Sequence, residues 1–245
     1  MFGPQRHENL ASALPVRSGG RVLDLGCGRG PTLAALARRL DEGARLIGLD
    51  LRQPQLTEPL AADPRVETLV ADLNAPLPLP DGSADAAVCF NVLECLTRKD
   101  DFLSEVARVL VAGGHLLLGH ADFDTIVFNT SDLALTRQIV HAFADTTASW
   151  METSDGTMGR KLLELARRSS FEVIQTLAWV GVHTDFSDGG PARTAVRAMV
   201  ESAGQHPGLA GRIDGWVADL EALDRRGAFL YSINDYAVLL RKPTV

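Results

Sequence analysis

The stretch Val22 to Gly30, reading VLDLGCGRG, constrains the fold more than any other part of this chain. Val22–Leu25 is a short apolar run that reads as a buried strand, and it delivers directly into a glycine-rich turn. The following segment, TLAALARRL from Thr32 to Leu40, has the spacing of an amphipathic helix. A strand, a tight turn and a helix in that order open a parallel sheet wound with helices, a layout that binds ligands at the carboxyl edge of its strands. Gly26, Gly28 and Gly30 let the backbone turn tightly and come close to a ligand with no Cβ in the way. Asp24 stands two residues before the first of them, on the strand itself.

The alternation continues. Arg45–Asp50, Val66–Val70, Asp85–Phe90 and His115–Gly119 read as further strands, and Phe102–Leu110 reads as a helix ending at the Gly113-Gly114 turn. The loop from Asn74 to Ser83 contains three prolines and is not regular structure. Beyond it the pattern loosens. Helical pieces are predicted within Thr125–Met158, a helix over Gly159–Ser169 and a sixth strand over Phe171–Trp179. Gly189–Gly227 reads as mostly helical with an interruption at His206, and Phe229–Leu240 as a long final strand.

The chain has 245 residues, 46% of them hydrophobic, enough for one α/β domain with a large core. Its formal net charge of −7, with no Lys- or Arg-rich run, weighs against a nucleic-acid partner. The three cysteines, Cys27, Cys89 and Cys95, form no CxxC pair, so a reducing compartment, the cytoplasm, is expected. The N-terminus has no basic-then-apolar leader pattern and no apolar run is long enough for a bilayer, so no membrane association is expected. The Ala, Arg and Gly bias suits a high-GC genome. Six histidines are scattered without HxH or HExxH spacing, so no metal site is expected.

Two cofactor chemistries compete for the glycine loop. A dinucleotide fingerprint needs G-x-G-x-x-G, but after Gly26 and Gly28 the third required position is Pro31. An acid so close to the loop would also repel a pyrophosphate, whereas it suits a cationic ligand with an amino group and a sulfonium. The dinucleotide reading fails on both counts. At this point the sequence resembles the class I S-adenosylmethionine-dependent methyltransferases of the bacterial small-molecule type, and the resemblance covers most of the chain. Asp24 and the three glycines, with Cys27 between them, match that family's first motif. Asp50, closing IGLD and followed by Leu51, matches the acid that takes the ribose hydroxyls. Asp72 and the Leu73 backbone, in VADLN, match the residues that meet the adenine amino group. Asn91 and Val92, in CFNVLECL, match the segment that passes the methionine part, and FLYSINDYAVLLRKP resembles the family's last strand.

The resemblance implies a doubly wound, seven-stranded, mostly parallel sheet with its last strand antiparallel and helical cap insertions around strand six. A single domain over residues 1–245 is expected, with a cofactor-binding half at 1–122 and insertions at about 125–158 and 184–228. It further implies S-adenosyl-L-methionine as cofactor and transfer of a methyl group to a small organic molecule, at oxygen or nitrogen ahead of carbon. Two alternatives stay open: a non-methylating reaction in the same pocket, such as elimination or cyclisation, and a non-catalytic partner subunit. A homodimer is compatible with either.

Methyl transfer is an in-line displacement in which positioning supplies most of the rate, and a base is needed only for an acceptor that must lose a proton. His120, expected at the carboxyl edge of strand five, and Asp122 beyond it are the catalytic candidates. Asp124, Trp150, Met151, Trp179 and His183 are candidates to line the substrate pocket. Glu94 either points into the cleft or starts a helix, His141 reads as a helix-surface residue, and Cys27 as a small packing residue without nucleophilic character.

Overall fold

The computed structural model describes residues 3, 5–147 and 152–244. Seven strands form one sheet in the order β3-β2-β1-β4-β5-β7-β6: β1 (Arg21–Leu25), β2 (Arg45–Asp50), β3 (Val66–Val70), β4 (Ala84–Phe90), β5 (Leu110–Phe128), β6 (Glu172–His183) and β7 (Tyr231–Arg241). Strands β1 to β5 pair in parallel, with Leu23 opposite Ile47 on one side and Ala87 on the other. β7 lies antiparallel between β5 and β6, giving the mostly parallel sheet that the strand–helix alternation predicts. Strand β1 is buried from Val22 to Leu25, as expected of a parallel strand inside the sheet.

The chain divides into two compact units. The first comprises His7–His120, Arg160–Leu177 and Tyr236–Val245; the second comprises Met1–Arg6, Ala121–Gly159 and Ala178–Asp235. In the first unit, α2 (Pro31–Arg39) buries Leu33, Ala35 and Leu36, and α3 (Lys99–Val109) buries Phe102, Leu103 and Val106. These side chains recur at helical spacing on one stripe, which is why the two segments are helical and why they pack inward. A helix not foreseen in the sequence, α1 over Gln5–Ala13, precedes β1; its polar run QRHENLASA buries Leu10 and Ala11.

The second unit is built from α4 (Leu133–Asp145), α6 (Pro191–Gly204), α7 (Pro207–Ala210), α8 (Ile213–Arg225) and the ends of β5, β6 and β7. Asp132 starts α4 by accepting from the Leu135 amide at 2.9 Å, and its other oxygen receives Arg212 at 2.8 Å. Phe128, Trp216 and Tyr231 form an aromatic centre, with ring centroids 5.5 and 5.0 Å from Phe128. The Trp216 indole N–H is satisfied by Thr136 Oγ1 at 3.0 Å. α5 (Met158–Arg168) leads into β6. No helix among the described residues is long and apolar enough to cross a membrane.

The structure corrects the extent of β5 and β6. β5 does not stop at Gly119 but runs on through His120 to Phe128, and β6 continues past Trp179 to His183. The β6 extension alternates between exposed and half-buried positions, whereas β5 is buried continuously from His120 to Phe123 and there carries His120 and Asp122, polar residues that the sequence reading placed at and beyond the carboxyl edge of the strand.

Candidate functional site

The glycine loop is fixed by backbone bonds before any side chain acts. Gly26 and Cys27 both donate to the Leu49 carbonyl, at 2.7 and 2.9 Å, and Gly30 donates to the Cys27 carbonyl at 2.8 Å. These bonds staple the turn after β1 onto the end of β2. Gly26, Gly28 and Gly30 adopt φ of 82°, 53° and 79°, a region that glycine enters without strain. Gly26 also lacks room for a side chain, because a Cβ there would stand 2.2 Å from Val92 Cγ2. Over Gly28 the space is open, with no atom within 4 Å of where a Cβ would be.

Two carboxylates flank this loop. Asp50, ending β2, accepts from the Gly28 amide at 2.9 Å and from the Arg52 amide at 3.3 Å. A carboxylate has about four lone-pair sites, so it keeps capacity for two further donors. Asp24 is only 2% exposed, and its Oδ2 has no hydrogen-bond partner among the described residues. Burial pushes its pKa up to about 7; the Leu33 backbone amide pulls it down, and Asp50 adds to the rise. A buried carboxyl with an orphaned oxygen beside an open backbone cradle is a fit for an ammonium group, which would supply both the missing hydrogen bond and the missing charge.

The other residues named from the sequence fall along the same edge of the first unit. Leu51, beside Asp50, leaves 64% of its surface exposed. Asp72 is exposed after β3, where one of its oxygens accepts from the Asn74 amide at 2.9 Å, and Leu73 is buried beneath it. Asn74 in turn accepts from the amides of Thr97 and Arg98, tying the turn after β3 to the turn after β4. Asn91 holds φ at 54° and donates its amide to the Gly119 carbonyl, so the chain turns sharply at the end of β4 and sets Val92 against Gly26. Cys27 packs over Gly48, whose Cβ would come 2.7 Å from the Sγ, and burial pushes the thiol up to about 12. It is a protonated packing residue, as its place inside the loop suggested.

After Val92 a 3-10 turn over Leu93–Cys95 carries Glu94 inward, to 6% exposure. Its Oε1 lies 3.8 Å from Nε2 of His120, which is fully buried. This pair concentrates a titratable base and a carboxylate next to the loop after β4, and Glu94 is the member that sequence reasoning left undecided.

The remaining candidates belong to the second unit. Asp122 is fully buried, two residues beyond His120 on the same strand. Asp124 pairs with Nε2 of the exposed His141 at 3.2 Å. Trp179 and His183 are half-buried on β6, and His183 stacks on Tyr231. Trp150 and Met151 lie outside the described residues.

Residues 23–118 match the family profile of a methyltransferase domain. A protein encoded in transposon TN4556 of Streptomyces fradiae, itself uncharacterized, is 32% identical over 240 residues, covering 94% of this chain and 65% of that protein. A probable S-adenosylmethionine-dependent methyltransferase of Mycolicibacterium smegmatis is 41% identical over 115 residues, 46% of this chain and 43% of its own length. The chain therefore spans less than two thirds of these curated relatives. Among solved structures, the [4+2]-cyclase SpnF superposes with a TM-score of 0.55 at 23% identity, covering 99% of this chain and 81% of the cyclase. That likeness shows the fold.

Proposed function

We propose that this chain is a class I S-adenosylmethionine-dependent methyltransferase that methylates an oxygen or nitrogen atom, in preference to carbon, of a small organic metabolite. The observation that carries the reading is the buried Asp24 carboxyl, whose Oδ2 has no hydrogen-bond partner among the described residues, beside the open Gly28 backbone. The residues present fit the cofactor. Asp24 would hold its ammonium, Asp50 its ribose hydroxyls, Asp72 and the Leu73 backbone its adenine edge, and Asn91 and Val92 would flank its methionine part. When bound, S-adenosylmethionine supplies a sulfonium-bound methyl group that an aligned nucleophile can displace.

The chain's own contribution to the reaction is placement and proton management. In this reading His120 accepts the proton of the acceptor group, and the Glu94 carboxylate 3.8 Å away stabilises the imidazolium that results. Asp122, one step further along β5, is the second candidate for the same task. The net charge of −7 supports a small-molecule acceptor over a polyanion. The likeness to a cyclase shows that the fold alone does not choose the reaction. A buried base with a carboxylate partner favours proton removal over a purely electrostatic role.

Calorimetric titration with S-adenosylmethionine and, separately, NADH tests the cofactor half of this reading, and binding of the first alone is expected. S-adenosylhomocysteine release over a panel of hydroxyl- and amine-bearing compounds tests the reaction. Once an acceptor is in hand, His120→Ala is expected to cut turnover by roughly 10²–10⁴-fold, the range for a lost general base. Cofactor affinity should stay within about twofold, since no cofactor contact is assigned to His120. Unchanged turnover would remove His120 from the reaction and pass the role to Asp122.

A further inference from the structure

Within the first unit, one side chain links the turn after β3 to the turn after β4. Asn74 Oδ1 accepts from the Thr97 amide at 2.9 Å, from the Thr97 hydroxyl at 3.2 Å and from the Arg98 amide at 3.2 Å. The backbone amide of the same residue donates to Asp72 Oδ1 at 2.9 Å. Asn74 therefore joins two places with separate tasks: the carboxylate assigned above to the adenine edge, and the chain that leaves the Leu93–Cys95 turn. That turn carries Glu94, whose Oε1 stands 3.8 Å from Nε2 of His120.

Local turn chemistry does not account for this arrangement. An asparagine that only shapes a turn bonds backbone close to itself. Here Asp72 closes the turn, its carbonyl accepting from the Ala75 amide at 3.0 Å and its carboxylate from the Asn74 amide. Asn74 instead places its carbonyl oxygen against donors 23 and 24 residues away. A carbonyl oxygen has two lone pairs, so three donors use it fully, and each bond narrows where Thr97 and Arg98 can stand. Upstream the same segment is pinned by the Asn91 amide on the Gly119 carbonyl, 3.1 Å away, and by the Cys95 amide on the Val92 carbonyl at 2.9 Å. Glu94 thus lies between an upstream pin and the downstream pin that Asn74 supplies. The loop after Asn74 has further holds on α3: Glu105 receives the Leu77 amide at 2.9 Å, and Arg108 donates to the Leu77 and Leu79 carbonyls at 3.0 and 2.9 Å. Loss of the Asn74 side chain would therefore be felt locally.

We propose that Asn74 is a positioning residue that transmits occupancy of the adenine end at Asp72 to the turn that sets Glu94 against His120. The assignment rests on the cofactor reading given above. A donor bound to Asp72 fixes that carboxylate, the carboxylate fixes the Asn74 amide, and the Asn74 carbonyl fixes the amides that follow Glu94. Linkage is reciprocal, so whatever loosens the turn weakens the hold on the adenine end by the same factor. Asparagine suits the place better than aspartate, because it accepts hydrogen bonds without setting a second negative charge beside Asp72. In this role Asn74 needs no contact with the reacting atoms.

Adenosine, which has the adenine and ribose but no methionine part, is the probe, and hydrogen exchange in the full chain is the readout. In the free protein, Asn74→Ala should exchange the peptide over residues 93–98 about five- to tenfold faster, the value of one lost hydrogen bond, with α2 unchanged. Asn74→Asp keeps the acceptor and should restore the wild-type rate. Saturating adenosine should slow the same peptide in the wild type and leave it unmoved in Asn74→Ala. Calorimetry should show the alanine variant binding adenosine about three- to tenfold more weakly. An Asn74→Ala protein that exchanges residues 93–98 at the wild-type rate, or that exchanges faster across α2 as well, overturns the assignment. So does adenosine that binds but slows neither protein, or slows both alike, and the cofactor reading then stands. A protein that binds neither adenosine nor S-adenosylmethionine removes the cofactor reading and the transmission with it.

Discussion

Asp24→Asn is expected to leave the protein more stable than the wild type above neutral pH and to bind S-adenosylmethionine at least roughly tenfold more weakly. Both effects follow from one buried oxygen that has no partner among the described residues. The folded-state pKa of Asp24 is raised to about 7 by burial, against 3.8 for an ordinary aspartate. Between those values the native state binds a proton that the unfolded chain has already released, so stability falls as pH rises from about 4 to about 7 and then levels off. The asparagine variant lacks that slope. Its advantage should open across the same window and reach on the order of a few kcal/mol, or roughly 5–10 °C in melting temperature, at pH 8. The cofactor's ammonium needs the ionised carboxylate. Wild-type affinity should therefore drop about tenfold for each pH unit below 7, and the variant should bind at least roughly tenfold more weakly at pH 8 with no such dependence. Thermal melts and calorimetry from pH 5 to 8 measure both. An asparagine variant that binds as the wild type does would mean that Asp24 meets no cation. The site would then lose the observation that identifies its ligand.

The sequence makes the cofactor half of this protein legible because its signals are local. β2 and β3 occupy Arg45–Asp50 and Val66–Val70 as the apolar runs predict, each run being bounded by residues that break a strand. The glycines lie where positive φ is required, and the acids at the strand ends stand along one edge because parallel strands deliver them there. What was not legible depends on burial of polar groups. His120 and Asp122 are fully buried within β5, so the rule that inward positions are apolar ended that strand nine residues early. Helix α1 escaped notice because its buried side carries only Leu10 and Ala11 as apolar residues, the other buried position being the charged Arg6. The pairing of Arg6 with Asp235 joins residues 229 positions apart. Only the antiparallel placement of β7 brings Asp235 and Tyr231 into the second unit's core, and no local pattern encodes that partnership. Glu94 is an intermediate case. Its position after β4 was visible, but its approach to His120 depends on the 3-10 turn that follows the strained Asn91.

Gly26→Ala and Gly28→Ala, two substitutions that look alike in the sequence, are expected to fail in opposite ways. At Gly26 an alanine must hold φ near 82° and place its methyl 2.2 Å from Val92 Cγ2. Val92 cannot yield easily, since it follows Asn91, already at φ 54° with its amide bonded to the Gly119 carbonyl. Left-handed strain and steric overlap together should cost roughly 3 kcal/mol or more, seen as a lower urea midpoint or as loss of soluble protein. At Gly28 the φ of 53° carries about 1–2 kcal/mol of strain, but no atom lies within 4 Å of the new methyl, so the protein should fold. The methyl would instead fill space beside an amide already committed to Asp50, at the point where a ligand must approach the backbone. Gly28→Ala should accordingly keep most of its stability while losing at least about tenfold in S-adenosylmethionine affinity. A Gly28→Ala protein with wild-type affinity would place the ligand away from this backbone, whatever Asp24 and Asp50 bind. A Gly26→Ala protein of wild-type stability would mean that the turn after β1 is not held against Val92.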